Sequence, residues 1–167
     1  MPPVDLILAL PRPKVMRRLW AQLSAIGVGR IVLVNAEKVE RQYFDNTWLS
    51  EHVYTRELIH GLEQSGETYL PQVFIKKRLK PFIEDELDSM FPSYQRFIAQ
   101  PLAQKTDLRK LKLKQRIVLA VGPEGGWTEF ERQMFKEYRF TEISVGSRIL
   151  RSDTASVLLL GLFNCLL

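Results

Sequence analysis

The sequence predicts an α/β domain in which a mainly parallel sheet is flanked by helices, and two patterns carry that prediction. Short runs such as Val4 to Leu10 and Arg30 to Asn35 are apolar without alternation, as strands buried on both faces must be. Segments of helical period stand between them, and strand and helix in alternation imply right-handed crossovers and parallel neighbours. At 167 residues with 46% hydrophobic content, the chain can bury one full core and is too short for two large ones.

The first strand, Val4 to Leu10, is closed by Pro11 and Pro13. Val15, Leu19, Leu23 and Ile26 then repeat at helical spacing, with Pro13 near the start and Gly27 as the stop. RIVLVN from Arg30 is the second strand, and Leu49, Val53, Leu58 and Leu62 mark a helix over Thr47 to Gln64. From Gly66 to Ser93, three prolines and the charges of Lys76, Lys77, Arg78 and Lys80 surround a short β-like core, VFI, and periodicity fades. Tyr94 to Ala99 and Arg116 to Val121 read as further strands, joined by a basic surface connection from Lys105 to Lys114. Thr128 and Glu131 form a T-x-x-E capping box opening a helix that turns Phe130, Met134 and Tyr138 inward. Thr141 to Val145 is the last strand. Ser152 or Asp153 caps a final helix, apolar nearly all round, that the domain or a second copy must cover.

A net charge of +5 suits a polyanionic partner and equally a solvated surface. Cys165 is the one cysteine, which excludes a disulfide framework and a cysteine zinc site; in its apolar tail it reads as buried core. The first residues carry Asp5 and no preceding basic region, unlike a signal peptide, and the run from Ala155 to Leu167 falls short of the roughly 20 residues of a membrane span. A cytoplasmic protein without membrane or metal partners is the expectation. His52 and His60 lie on a polar helix with no nucleophile or metal-like set nearby and read as surface histidines.

Two segments stand apart, VGPEGGW from Val121 and SVGSRILRSDTA from Ser144, each directly after a predicted strand, where open α/β sheets bind ligands. Gly122, Gly125 and Gly126 can take backbone angles closed to other residues and admit a ligand to the main chain. Pro123 stiffens this turn and Glu124 adds a carboxylate. A Gly-Pro turn before a capped helix is also common in its own right. GPEGG lacks the Lys-Ser/Thr of a P-loop and the spacing of a dinucleotide fingerprint, and the first strand ends in LPRP with no glycine loop, which disfavours a conventional Rossmann methyltransferase.

GPEGG followed, one helix later, by VGSRILRSDTA resembles the paired C-terminal motifs of the ribosomal RNA small subunit methyltransferase E family, within the SPOUT superfamily of knotted methyltransferases. The resemblance extends upstream through Lys14, Met16, the helix ending at Gly27 and GLEQSG at Gly61 to Gly66, so it covers essentially the whole chain. It implies a C-terminal trefoil knot, a homodimer, and S-adenosylmethionine held among three loops. Those loops correspond here to the region of Pro101, to Gly122, Pro123, Glu124, Gly125 and Gly126, and to Val145, Gly146, Ile149 and Leu150. The implied reaction is methylation of uridine N3 in small-subunit (16S) ribosomal RNA, with Arg151 and Arg148 as catalytic cations. Either arginine could instead be structural, paired with Asp153 or Glu124. Arg12, Lys14, Arg17 and Arg18 follow the first strand and suit RNA phosphates, or a solvated helix end.

Members of that family usually carry an N-terminal RNA-binding β-barrel. This chain starts almost directly at its first predicted strand, so residues 1–167 are expected to be a SPOUT methyltransferase domain without it. Glu67 stands where arginine is common, and RSDT replaces R-T-E-T, departures that bear on substrate rather than cofactor. A non-catalytic RNA-binding or ribosome-assembly module of the same fold, and a methyltransferase acting on transfer RNA, remain the alternatives.

Overall fold

The computed structural model describes residues 1–101, 103, 106–113 and 116–167; Lys105 and Lys114, the ends of the predicted basic connection, lie outside them. Six strands form one sheet: β1 (Val4–Ala9), β2 (Arg30–Val34), β3 (Gln72–Lys76), β4 (Gln95–Ala99), β5 (Ile117–Val121) and β6 (Thr141–Ile143). Their order is β3-β2-β1-β5-β4-β6, and every pairing is parallel. β1 and β5 are central and buried along their whole length, which is why their sequences run apolar without alternation.

Helix α1 (Pro13–Ile26) begins and ends as its sequence indicates, with proline in the first turn and Gly27 left-handed at φ 88°, its N–H donating to Ser24 O. The helix predicted from Thr47 starts later. Asn46 Oδ1 accepts from Trp48 N at 2.8 Å and caps a separate 3-10 turn, Thr47–Leu49; Ser50 is extended, and α2 runs over Glu51–Ser65. The segment after β3 folds as α3 (Leu79–Pro81), a π-helical turn Phe82–Glu86 and α4 (Leu87–Met90), burying Phe82, Ile83, Leu87 and Phe91. Pro81 is tolerated because it lies in a first turn, whose N–H groups have no helical acceptor.

α5 (Glu129–Glu137) carries the expected capping box, but its inner face is Glu131, Met134 and Phe135, while Phe130 is 62% exposed and Tyr138 follows the helix half-buried. The cap sets this rotation. Glu131 turns inward to accept from Thr128 N and Glu37 N, both at 2.8 Å, and residues three and four further on share its face.

β6 ends at Ile143 because Ser144 leaves the ladder for the β4–β5 connection, its N–H donating to Thr106 Oγ1 at 3.3 Å. α6 (Ser152–Leu166) has Arg151 at its N-cap with no side-chain bond, in place of the expected Ser152 or Asp153 cap. Its inner side packs on α1: Asn164 Nδ2 donates to Ile26 O at 2.7 Å, and Phe163 stacks on Phe97 at 5.1 Å. Cys165 is exposed, which corrects its reading as core: it lies on the outer side of α6. Among the described residues, no helix is long and apolar enough to cross a membrane.

Candidate functional site

The loops after β4 and β5 and the segment after β6 converge at the carboxyl end of the sheet because β5 and β4 are neighbours and β6 lies beside β4. Between them is a cavity of about 350 Å³, within the usual range of ligand pockets. Pro101, Gly122, Pro123, Glu124, Gly125 and Gly126 line it, together with Ile149 and Leu150. Val145 and Gly146 line a smaller hollow of about 40 Å³ that shares Ala99, Pro101 and Leu150 with the main cavity. Ile149 is 75% exposed and forms an outer lip rather than a buried wall.

The glycine loop is held from both ends. Gly126 N donates to Pro123 O at 2.8 Å, and Gly126 has φ 71°, a left-handed conformation that disfavours any side chain. Gly125 does not share it: a Cβ there would meet Lys38 Cδ at 2.9 Å, the far part of a flexible side chain. At Gly122 the constraint is contact, since a Cβ would lie 3.0 Å from the indole nitrogen of Trp127. Thus one of the three glycines, not all of them, needs the backbone freedom inferred from sequence.

Lys38, Gln100, Trp127 and Arg132 also line the cavity and were not singled out in the sequence. Lys38 Nζ donates to Gly125 O at 2.7 Å from the loop after β2, a contact that no local pattern announces. Trp127 directly follows GPEGG and is 6% exposed; it was legible as an aromatic at the end of a ligand loop.

Beside the cavity lies an open groove of about 1070 Å³ lined by Arg12, Lys14, Arg17, Arg18 and Arg151 with Tyr43 and Trp48. A third hollow of about 150 Å³, bounded by Lys38, Glu40, Tyr43 and Glu124, lies between them and shares lining residues with each. Arg12 Nε lies 3.4 Å from Glu124, so this carboxylate faces the groove cation rather than Arg148 or Arg151. Asp153 stands between Arg18 at 3.6 Å and Arg151 at 3.8 Å. Pairs with such exposed cations contribute only about 0–1 kcal/mol, so the arginines keep their capacity for anions. The Glu40 carboxylate, accepting from Tyr43 Oη at 2.8 Å, raises the phenol's pKa above its ordinary value.

Arg148 is exposed on the smaller hollow and, among the described residues, has no ion-pair partner. The structure therefore places the two predicted catalytic cations on different walls. His52 and His60 are exposed on α2, and among the described residues no group of three or more His, Cys, Asp or Glu could hold a metal.

The model of a family described as an RNA methyltransferase domain matches residues 1–164. The chain belongs to that family. This RNA methyltransferase domain is 33% identical over 156 residues to a protein of Treponema pallidum named Ribosomal RNA small subunit methyltransferase E, with 92% of this chain and 59% of that protein covered. It is 30% identical over 154 residues to Ribosomal RNA small subunit methyltransferase E 1 of Borreliella burgdorferi, covering 90% and 62%. The chain thus spans about three fifths of the length of these relatives. The fold is similar, with TM-score 0.81 and 27% identity, to the crystal structure of a Ribosomal RNA small subunit methyltransferase E from Neisseria gonorrhoeae bound to S-adenosyl methionine, over 98% of this chain and 65% of that one.

Proposed function

We propose that this domain transfers a methyl group from S-adenosylmethionine to N3 of a uridine in small-subunit (16S) ribosomal RNA. The observation that carries the reading is the adjacency of a partly apolar cavity under a glycine loop and a groove of five cations, with a hollow at Glu124 between them that shares residues with both. A methyl donor in the first space and an RNA in the second would meet at that hollow. The names of the relatives, and the S-adenosyl methionine in the Neisseria structure, support it.

The residues present fit the donor. Ala99, Val121, Leu150 and Ala155 offer apolar walls to an adenine, and the main chain of Gly122 to Gly126 offers amides and carbonyls. Trp127 Nε1 is a buried donor with no partner among the described residues, at the cavity wall. When bound, the cofactor supplies an electrophilic methyl group and carries its own leaving group. Pro101, Gly122, Pro123, Glu124, Gly125, Gly126, Val145, Gly146, Ile149 and Leu150 hold and orient it. Arg12, Lys14, Arg17 and Arg18 bind RNA phosphates. Arg151, on the groove side, stabilises negative charge on the uracil as its N3 proton passes to solvent, and Arg148 holds the third loop or the substrate.

Residues 1–167 form, in this reading, one SPOUT-type domain whose C-terminal segment is threaded as a trefoil knot. Thr106 N donates to Ser144 O at 2.8 Å and Ser144 Oγ to Pro101 O at 3.3 Å, contacts between the β4–β5 connection and the segment leading to α6 that are compatible with such threading. The domain works as a homodimer in the cytoplasm, where its ribosomal substrate resides.

Incubation with labelled cofactor and undermethylated small ribosomal subunits is expected to label one uridine at N3. Transfer to no RNA would overturn the reading, and label in transfer RNA or on a ribose would reassign the substrate. Arg151→Ala is expected to lower turnover by about 10²-fold or more while cofactor affinity holds within about threefold; equal loss of both would make Arg151 a scaffold residue.

A further inference from the structure

The groove beside the cavity holds more than cations, and one of its aromatic residues is fixed in place. Trp48 N donates to Asn46 Oδ1 at 2.8 Å, and the indole N–H of fully buried Trp20 donates to Trp48 O at 3.0 Å. The turn Thr47–Leu49 is thereby clamped to α1. Its half-buried indole lines the groove, and the guanidinium of exposed Arg17, one turn before Trp20 on α1, lies 4.7 Å from the ring centroid.

Phosphate contact needs only cations and carries no base information. An indole anchored at the wall of a basic groove adds nothing to that task. A guanidinium laid on an indole is, however, a preassembled flat surface of the kind on which unpaired bases stack. Bases inside an A-form duplex have both faces occupied by their neighbours and cannot use such a surface. Tyr43 lines both this groove and the hollow beside the glycine loop, so a strand lying in the groove runs next to the cavity.

We propose that Trp48 and Arg17 form a stacking platform for an unpaired nucleobase flanking the target nucleotide, so that the groove selects single-stranded over duplex RNA. The proposal rests on the RNA-directed reading above. Arg12, Lys14 and Arg18 hold the phosphates on either side of the stacked base.

Fluorescence titration of the full chain with an unstructured cytidine-adenosine oligoribonucleotide of about ten nucleotides tests it. Trp20 is fully buried and Trp127 is 6% exposed, so quenching reports on Trp48. The single strand is expected to quench the emission and to bind at least about fivefold more tightly than the same strand paired with its complement. Trp48→Phe should lose the quench and keep affinity within about threefold, whereas Trp48→Ala should bind about 5- to 150-fold more weakly. Equal affinity for single strand and duplex, binding of neither, or a Trp48→Ala variant as tight as the unaltered chain would overturn the platform. A methyl-transfer assay on the same preparations separates the two readings: stacking without transfer sinks the reaction and keeps the platform, and transfer that is indifferent to Trp48 does the reverse.

Discussion

Asp5 shows what a single residue can hide from its sequence. It lies fully buried in β1, with Oδ2 at 3.3 Å from Arg116 and with no partner for Oδ1 among the described residues. Burial outweighs the nearby charges of Arg116 and Arg30 and pushes its pKa above the ordinary carboxylate value. The folded state then holds the Asp5 proton more tightly than the unfolded state, so the residue's contribution to stability is complete below the ordinary carboxylate pKa and is lost as pH rises through the folded value. Asp5→Asn stays neutral, and its unfolding free energy relative to the unaltered chain should rise in urea titrations as pH is raised above the ordinary carboxylate value. A constant or falling difference would mean that Arg116 and Arg30 dominate. From the sequence, Asp5 was legible only as a polar interruption near the start, because nothing local reveals an arginine brought in by a neighbouring strand. The pairing of Arg151 with Asp153, two positions apart, was legible, whereas that of Arg12 with Glu124 depends on how β1 and β5 lie side by side.

At the scale of elements, periodicity identified what has one clear period. The strands β1, β2 and β5 and the helix α1 agree with their apolar runs and stop signals, and the capping box located α5, although of Phe130, Met134 and Tyr138 only Met134 is buried. The stretch between β3 and β4 was opaque because a π-helical turn and a proline break the helical period that buries Phe82, Ile83 and Leu87. Gly61 was noticed as part of GLEQSG, but its physical reason is the approach of α2 to α1. A Cβ on Gly61 would lie 2.1 Å from Ala21 O and 2.2 Å from Ser24 Oγ, and the same Ser24 hydroxyl donates to Leu58 O at 2.8 Å across the two helices. Backbone atoms cannot yield as a side-chain tip can. Gly61→Ala should therefore force the helices apart and lower unfolding free energy by about 1–3 kcal/mol, read from urea midpoints at unchanged m-value. Stability within experimental error of the unaltered chain would show that the helices slide without cost.

For the molecule as a whole, the loops that line the cavity stood out one by one in the sequence, but their meeting did not, because strand order decides it and order is not written in periodicity. β6 joins the sheet outside β4, and only that placement brings the segment from Val145 to Leu150 against the loop from Gly122 to Gly126. The final helix poses the complementary problem, since its apolar surface exceeds what one domain covers. Its inner side is buried through Ser156, Leu159, Leu160 and Phe163, while Leu158, Leu162 and Leu166, each four residues apart, remain 41%, 36% and 38% exposed. Such a stripe is self-complementary under a two-fold axis, which would bury it against its own copy. Leu162→Glu places charge in the middle of that stripe without touching the buried side of α6. The unaltered chain is expected to run as a dimer in light scattering at micromolar concentration and the variant as a folded monomer. The monomer should retain cofactor affinity if the cavity is complete within a protomer, and a matching loss would mean that the dimer holds the third loop in place. A variant that stays dimeric would move the interface off α6.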